Sequence, residues 1–267
     1  MTIKPYYETE LGKLYHGDCL EIMPMLEPVD LVITSPPYDE LRRYEGYSFD
    51  FKGTANKLFK MTKDNGLVVW IVADATINGN QTGTSFKQAL YFKEVGFNLH
   101  DTMIWNKGGF TSPQTVRYPK CFEYMFVFSK GSIVCNQIKD RRNKKAGSAS
   151  IHTIRKKDGK TKNMYADSRK TKIGKIGVRF NVWEIYPEQS SKKRRHPAPF
   201  PQQLAQDHVV SWSNNGSVVA DIMCGGGTTP VVCERLNRNW IGIEISEKYC
   251  EIAAKRIEQE RKQLKLF

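Results

Sequence analysis

Two stretches of the 267-residue chain gather groups that could do chemistry. The first is Thr34-Ser35-Pro36-Pro37-Tyr38, which follows the apolar run Val29-Asp30-Leu31-Val32-Ile33. Such a run reads as a buried strand, and two prolines, having no ladder donors, must end it. The strand therefore delivers a hydroxyl (Ser35), a stiff proline corner and an aromatic ring (Tyr38) to one point. The second stretch is Val218-Val219-Ala220-Asp221-Ile222-Met223-Cys224-Gly225-Gly226-Gly227-Thr228-Thr229. It reads as strand, glycine turn and helix start. Glycines let a backbone approach a ligand closely, and Thr228 is expected to cap the helix with its hydroxyl. The following strand, 240–245, carries Glu244, 23 residues after Asp221. A carboxylate at the tip of the second strand of a βαβ unit suits ribose hydroxyls.

The ligand class can be narrowed. Gly225, Gly226 and Gly227 do not follow G-x-G-x-x-G, which weighs against a nicotinamide dinucleotide. Asp221, opening the turn, would repel a pyrophosphate and attract an ammonium group. A cationic amino-acid nucleoside, S-adenosylmethionine, fits both acids.

These stretches need elements to hold them. Strands are expected near 30–34, 67–73, 97–105, 123–128, 217–223 and 240–245. Helical spacing covers 53–63, 84–95, 201–212, 228–236 and 246–263. The run 67–73 is apolar throughout, as in a strand covered on both faces. Alternation of this kind implies an α/β, doubly wound, mostly parallel sheet of Rossmann-like type.

Charge divides the chain unevenly. Net charge is +13, yet residues 131–195 hold 19 Lys or Arg against 5 Asp or Glu, while the remainder comes to −1. One segment carrying the whole excess is better explained by a polyanion than by an ordinary solvated face. That segment is read as an inserted, DNA-facing lobe. The six cysteines (19, 121, 135, 224, 233, 250) show no metal-ligand or C-x-x-C spacing, so small core thiols are expected, with no metal. No apolar run is long enough to span a membrane, and residues 1–18 are polar and mixed. A cytoplasmic protein of a prokaryote or phage, without export signal or membrane partner, is expected.

At this point the chain resembles the amino-directed (N4-cytosine/N6-adenine) DNA methyltransferases in their permuted β arrangement. There the Ser/Asp-Pro-Pro-Tyr motif precedes the cofactor loop, with the target-recognition region between. This chain has that order: T-S-P-P-Y at 34–38, the basic segment, then D-I-M-C-G-G-G-T-T at 221–229. Ile222 and Met223 replace the Pro and Phe of the family loop, which reshapes the adenine wall. His16-Gly17-Asp18-Cys19 looks like the family element beside the cofactor adenine, and Ile104-Trp105-Asn106-Lys107, Asn181-Val182-Trp183 and His196-Pro197-Ala198-Pro199-Phe200-Pro201 resemble lesser motifs. The resemblance spans about 15 to 130 and 180 to 260, and the segment 131–180 matches nothing nameable.

The resemblance implies a class I methyltransferase fold, with residues 1–130 as the catalytic part, 131–195 as a target-recognition insertion and 196–267 as the cofactor-binding part. Ser35 Oγ and the Pro36 carbonyl would accept both protons of an exocyclic amine, freeing a lone pair otherwise delocalised into the base. Pro37 would stiffen the corner, and Tyr38 would stack on a base flipped from the duplex. Asp18, Cys19, Asp221, Met223, Gly225, Gly227, Thr228, Thr229 and Glu244 would bind S-adenosylmethionine. Arg42, Arg43, Arg141, Arg142, Lys144, Lys145, Arg155, Lys156, Lys157, Arg194 and Arg195 would meet DNA phosphates. Ser before Pro-Pro-Tyr favours cytosine N4, with adenine N6 as the alternative. A catalytically silent DNA-binding protein and a methylase of RNA or of protein glutamine are the competing readings. Pairing into a homodimer is common in the family, and no dimer motif is legible here.

Overall fold

The computed structural model describes residues 3–37, 49–109, 115–133, 135–149, 153–163, 172–187 and 200–264. They divide into two compact units, one of Met1–Asn136 with Asn181–Phe267 and one of Gln137–Phe180. In chain order the first unit contains β1 (Tyr7–Glu8), β2 (Gly12–His16), α1 (Cys19–Ile22), β3 (Val29–Thr34), α2 (Phe51–Met61), β4 (Thr62–Val72), β5 (Thr76–Ile77), β6 (Asn80–Gln81), α3 (Thr84–Val95), β7 (Asn98–Asn106) and β8 (Phe122–Ser129). After the second unit it resumes with β13 (Val182–Glu184), α4 (Gln202–Trp212), β14 (Val218–Asp221), α5 (Thr228–Arg235), β15 (Asn239–Glu244) and α6 (Glu247–Leu264).

Nine of these strands form one sheet in the order β1-β2-β15-β14-β3-β4-β8-β7-β13. The run from β2 to β4 is parallel throughout, and β8 lies antiparallel to both β4 and β7. Side chains alternate across the sheet, as the two-residue period requires. Leu31, Ile33, Val69 and Ile71 enter a core with Leu204, Val209, Val231 and Ile257 of α4, α5 and α6. Val32, Val68, Trp70 and Val72 enter a second core with Leu58, Met61 and Phe92 of α2 and α3. Both faces are covered, which is why strand 67–73 is apolar without interruption. The buried indole of Trp70 still finds a partner, donating to Gln88 Oε1 at 2.8 Å.

The strand order positions the site. From β14 the chain turns through α5 to β15 on one side, and from β3 through α2 to β4 on the other. β14 and β3 are neighbours, with Val219 opposite Leu31 and Ala220 opposite Val32. The reversal opens a crevice at their carboxyl ends, the place where such sheets bind ligands.

Two elements and the cysteines depart from the sequence expectation. β2 was not expected in a polar, mixed segment; its inward residues are only Leu14 and Tyr15, and parallel pairing with β15 makes it a strand. Gly12 is required there, because a Cβ would stand 2.3 Å from the Trp240 carbonyl. β13, inside the basic tract, belongs to the main sheet: Val182 pairs with Ile104 of β7, and Trp105 Nε1 donates to the Ile185 carbonyl at 2.8 Å. The cysteines are not all core residues. Cys224, Cys233 and Cys250 are buried, Cys19 and Cys121 are half-buried, and Cys135 is exposed in the non-strand segment after β8.

The second unit holds two antiparallel pairs, β9 (Lys139–Arg142) with β12 (Ile176–Val178) and β10 (Thr153–Arg155) with β11 (Thr161–Asn163). Among the described residues no helix is long and apolar enough to cross a membrane.

Candidate active site

The strand β3 ends as the prolines require: its last ladder pair is Thr34 with Trp70 of β4. Thr34 is fully buried, Ser35 and Pro37 are half-buried, and Pro36 is buried. Thr34 Oγ1 donates to Asp221 Oδ1 at 2.9 Å, across 187 residues of sequence. The residue preceding Ser35 is thereby tied to the first residue of the glycine turn.

Asp221 is the hub of that turn. It is 1% exposed and accepts from Thr34 Oγ1, from Thr229 Oγ1 at 2.8 Å and from the Met223 N–H at 3.3 Å. Burial pushes its carboxyl up to about 6, against the hydrogen bonds from Thr229, Thr34 and Met223 that favour the charged form. Gly225 takes the left-handed region, φ 52°, and its N–H donates to Glu244 Oε2 at 2.7 Å. The other oxygen of Glu244 accepts from the Ser246 N–H at 2.9 Å. Burial raises the Glu244 carboxyl as well, again opposed by hydrogen bonds from the Ser246 and Gly225 N–H groups.

The helix α5 begins differently from the sequence expectation. Gly227, not Thr228, is its N-cap, at φ 77° and with no side-chain cap. The reason is packing: a Cβ on Gly227 would lie 2.8 Å from the Ala253 Cβ of α6, so only glycine lets the helix seat there. The Thr228 hydroxyl instead faces Arg256, whose Nη1 lies 3.4 Å away and also donates to the Gly226 carbonyl. One face of α6 thus braces the turn through Cys250, Ala253 and Arg256, with Cys250 Sγ donating to the Glu244 carbonyl at 3.6 Å. The sequence alone gives 246–263 helical spacing and no link to the glycine turn. The legible signal was a three-residue spacing of Cys250, Ala253 and Arg256 on one stripe. Thr34 likewise has no partner legible in its own stretch of sequence.

Asp18 and Cys19 join the same edge. β2 pairs with β15 up to His16 opposite Glu244, and the Gly17 N–H donates to the Glu244 carbonyl at 2.9 Å. Asp18 caps α1, accepting from the Leu20 N–H at 2.7 Å. Burial pushes the Cys19 thiol up to about 12, which leaves no thiolate for attack. Met223 is half-buried against the α2–α3 core. The structure therefore brings Asp18, Cys19, Asp221, Met223, Gly225, Gly227, Thr228, Thr229 and Glu244 to one edge, with Ser35, Pro36 and Pro37 joined to it by Thr34. Tyr38, Arg42, Arg43, Arg194 and Arg195 lie outside the described residues. Among the described residues no group of three or more His, Cys, Asp or Glu could hold a metal ion.

A family described as DNA methylase has a model that matches residues 29–255. This chain belongs to the DNA methylase family. The orphan methyltransferase M.BamHII of Bacillus amyloliquefaciens is 47% identical over 250 residues, 90% of this chain and 90% of that protein. The type II methyltransferase M.ScaI of Streptomyces caespitosus is 26% identical over 283 residues, 98% of this chain and 86% of that protein. Among solved structures, the PvuII DNA methyltransferase (cytosine-N4-specific) superposes with a TM-score of 0.70 at 22% identity, covering 98% of this chain and 95% of that one. At that identity the likeness speaks for the fold.

In this DNA methylase the second unit carries the cations called for DNA contact. Arg142, Lys144 and Lys145 are exposed, as are Arg155, Lys156 and Lys157 on the β10–β11 hairpin. Arg141 is engaged internally: Nε donates to the Val178 carbonyl at 2.8 Å, and its guanidinium lies 4.2 Å from the Phe180 ring centroid. Asp140 is held by Arg179, whose hydrogen bond keeps the carboxyl below its ordinary range.

Proposed function

We propose that this DNA methylase transfers a methyl group from S-adenosylmethionine to the N4 amine of a cytosine drawn out of the duplex. The observation that carries the reading is the 2.9 Å hydrogen bond from Thr34 to Asp221, because it joins the strand that ends in Ser35-Pro36-Pro37 to the glycine turn. Methyl transfer needs those two stretches within a few ångströms, and neighbouring parallel strands provide that spacing.

The residues at the edge fit the cofactor. Each Glu244 oxygen already accepts one backbone N–H, and a carboxylate oxygen has a second lone pair for a ribose hydroxyl. Asp221 is a desolvated acid with three donors, and a cationic ammonium arriving nearby relieves the cost of burying its charge. Asp18 and Cys19 border the same edge, beside the adenine end. The cofactor supplies an electrophilic sulfonium methyl. The protein supplies acceptors: Ser35 Oγ and the Pro36 carbonyl accept hydrogen bonds from the two amine N–H groups and draw the nitrogen toward tetrahedral geometry, and the one proton released on methylation leaves to water. Proline leaves that carbonyl little freedom to lose, so the geometry is set before the base arrives. No covalent enzyme intermediate is needed, consistent with the raised thiols of Cys19 and Cys250. Ser35, rather than Asp, at the motif head supports cytosine N4. Residues 1–130 and 196–267 supply the catalytic and cofactor parts; of the insertion expected at 131–195, the unit Gln137–Phe180 is the target-recognition part, because Val182–Glu184 pairs in the main sheet.

The test is direct. The purified protein is incubated with duplex DNA and S-adenosylmethionine, and the DNA is digested to nucleosides for mass analysis. N4-methylcytosine is the expected product. N6-methyladenine would replace the base assignment, and DNA binding without any methylated nucleoside would replace the enzyme by a silent binding protein.

A further inference from the structure

The hairpin β10–β11 has a shape and a division of side chains that the basic composition alone does not reveal. Its pairs are Thr153 with Asn163, Ile154 with Lys162 and Arg155 with Thr161, and the Lys156 N–H donates to the Lys160 carbonyl at 2.8 Å. The loop Lys157-Asp158-Gly159 is closed by the Gly159 N–H on the Lys156 carbonyl at 3.0 Å, with Gly159 at φ 79°. Asp158 Oδ1 accepts from the Lys160 N–H at 3.0 Å. This is a three-residue turn with glycine in the left-handed position, a rigid hairpin closure. Alternation along each strand sorts the residues between two faces. Ile154, Lys156, Lys160 and Lys162 share one face, and Arg155 and Thr161 share the other.

Two observations point to a ligand. The first is electrostatic. Residues 153–163 hold five cations and one acid, and Arg155, Lys156, Lys157, Lys160 and Lys162 make no ion pair with any described residue. Lys156 stands opposite Lys160, and like charges across a ribbon destabilise it unless an anion intervenes. The second is geometric. A two-stranded ribbon is one of two elements that the major groove of B-DNA admits. Three rungs at ~3.3 Å per residue give about 10 Å of reach, comparable to a groove depth of about 8.5 Å.

We propose that the β10–β11 ribbon enters the major groove of the substrate duplex, with Arg155 and Thr161 reading base edges and Lys156, Lys160 and Lys162 holding phosphates. Arg155 offers the paired donors that suit guanine O6 and N7, and Thr161 offers a hydroxyl and a methyl. This rests on the reading that the chain methylates duplex DNA, and it assigns the choice of site to one hairpin.

The experiment separates the two faces. Wild type, Arg155→Lys, Thr161→Ala and the triple variant Lys156→Ala/Lys160→Ala/Lys162→Ala are compared on a randomised duplex pool, with methylated sites sequenced and duplex affinity measured across salt concentrations. Arg155→Lys keeps the charge and loses the fork. It is expected to relax the preference at one base pair by about tenfold or more while leaving affinity for unrelated duplex unchanged. Thr161→Ala is expected to change the preference at a neighbouring position by a smaller factor. The triple variant is expected to weaken binding to every sequence alike and to lower the salt slope by about one per lysine. Unaltered site preference in Arg155→Lys and Thr161→Ala, together with a wild-type salt slope in the triple variant, overturns the proposal. If wild type methylates no duplex at all, the functional reading fails first. The ribbon is then judged by the salt slope alone: an unchanged slope in the triple variant overturns its place on DNA, and a reduced one retains it.

Discussion

At the switch-point edge, Asp221 and Glu244 are buried and every carboxylate oxygen accepts at least one hydrogen bond. In Gln137–Phe180, fifteen Lys and Arg face three acids, and the Asp140–Arg179 pair is the one ion pair among its described residues. The first region has spent desolvation to set charge in fixed directions, and the second keeps charge in water. Fixed, desolvated groups suit chemistry, which needs atoms placed to a fraction of an ångström. Hydrated cations suit a polyanion, whose binding gains from released counterions and tolerates looser geometry. Substitutions should therefore act sharply and locally in one region and gradually and additively in the other.

The largest effect is expected at the corner. Ser35→Ala should lower turnover by about a hundredfold, the scale for losing one preorganised hydrogen-bonding group. Cofactor affinity, measured by calorimetry, should stay near wild type. Loss of affinity with turnover preserved would exchange the roles of the two stretches.

Glu244→Ala should act in the opposite order, weakening cofactor binding before turnover at saturation. It also strands the N–H groups of Gly225 and Ser246, at a cost of about 1–3 kcal/mol each where they remain dry. Calorimetry and thermal unfolding report the two consequences separately. Arg256→Ala is next. Freeing the Gly226 carbonyl should raise the cofactor KM several-fold with little change in kcat. Arg256→Lys should recover only part, because both contacts come from the terminal Nη1, which lies about one atom further along the side chain than a lysine Nζ. Equal losses in KM and kcat would make Arg256 a residue of general stability.

Asp221 gives a pH test. Its carboxyl sits at about 6, above the ordinary 3.8, so the folded protein holds this proton more tightly than the unfolded chain. The stability lent by that proton is complete below 3.8 and is lost as pH rises through about 6. Binding of a cation beside the carboxylate reverses the preference, so cofactor affinity should fall as pH drops below about 6. Thr34→Val removes a hydrogen bond that favours the charged form, so the midpoint should move upward. A midpoint that stays in place would separate Thr34 from the turn. The smallest effect is expected in the second unit: Lys144→Ala with Lys145→Ala should leave thermal stability within about 0.5 kcal/mol. Its only consequence should be a shallower salt dependence of DNA binding.

The elements themselves were largely legible. Helix spacing at 84–95 with Gly96 beyond it corresponds to α3 and its C-cap, and the apolar run 67–73 lies within β4 but for its last residue, Ala73. Local pattern suffices there because periodicity and turn residues act within one element. It failed at β2, whose strand character comes from its neighbour rather than from its own alternation. It failed again at Thr228, where the cap is decided by how near α6 approaches. The basic hairpin was visible only as charge, since opposite faces of a ribbon emerge once Arg155 is known to pair with Thr161.

By itself the sequence determined which groups are on offer: a hydroxyl on a proline corner, two acids at strand tips, a glycine turn and a cationic segment. These follow from residue type and from spacing of a few positions, which covalent geometry and local sterics control. Tertiary structure alone decided that Thr34 meets Asp221 across 187 residues and that α6 supplies Arg256 to the turn. Such meetings depend on strand order, and strand order is settled by burying both faces of one sheet at once, a condition no local stretch of sequence contains.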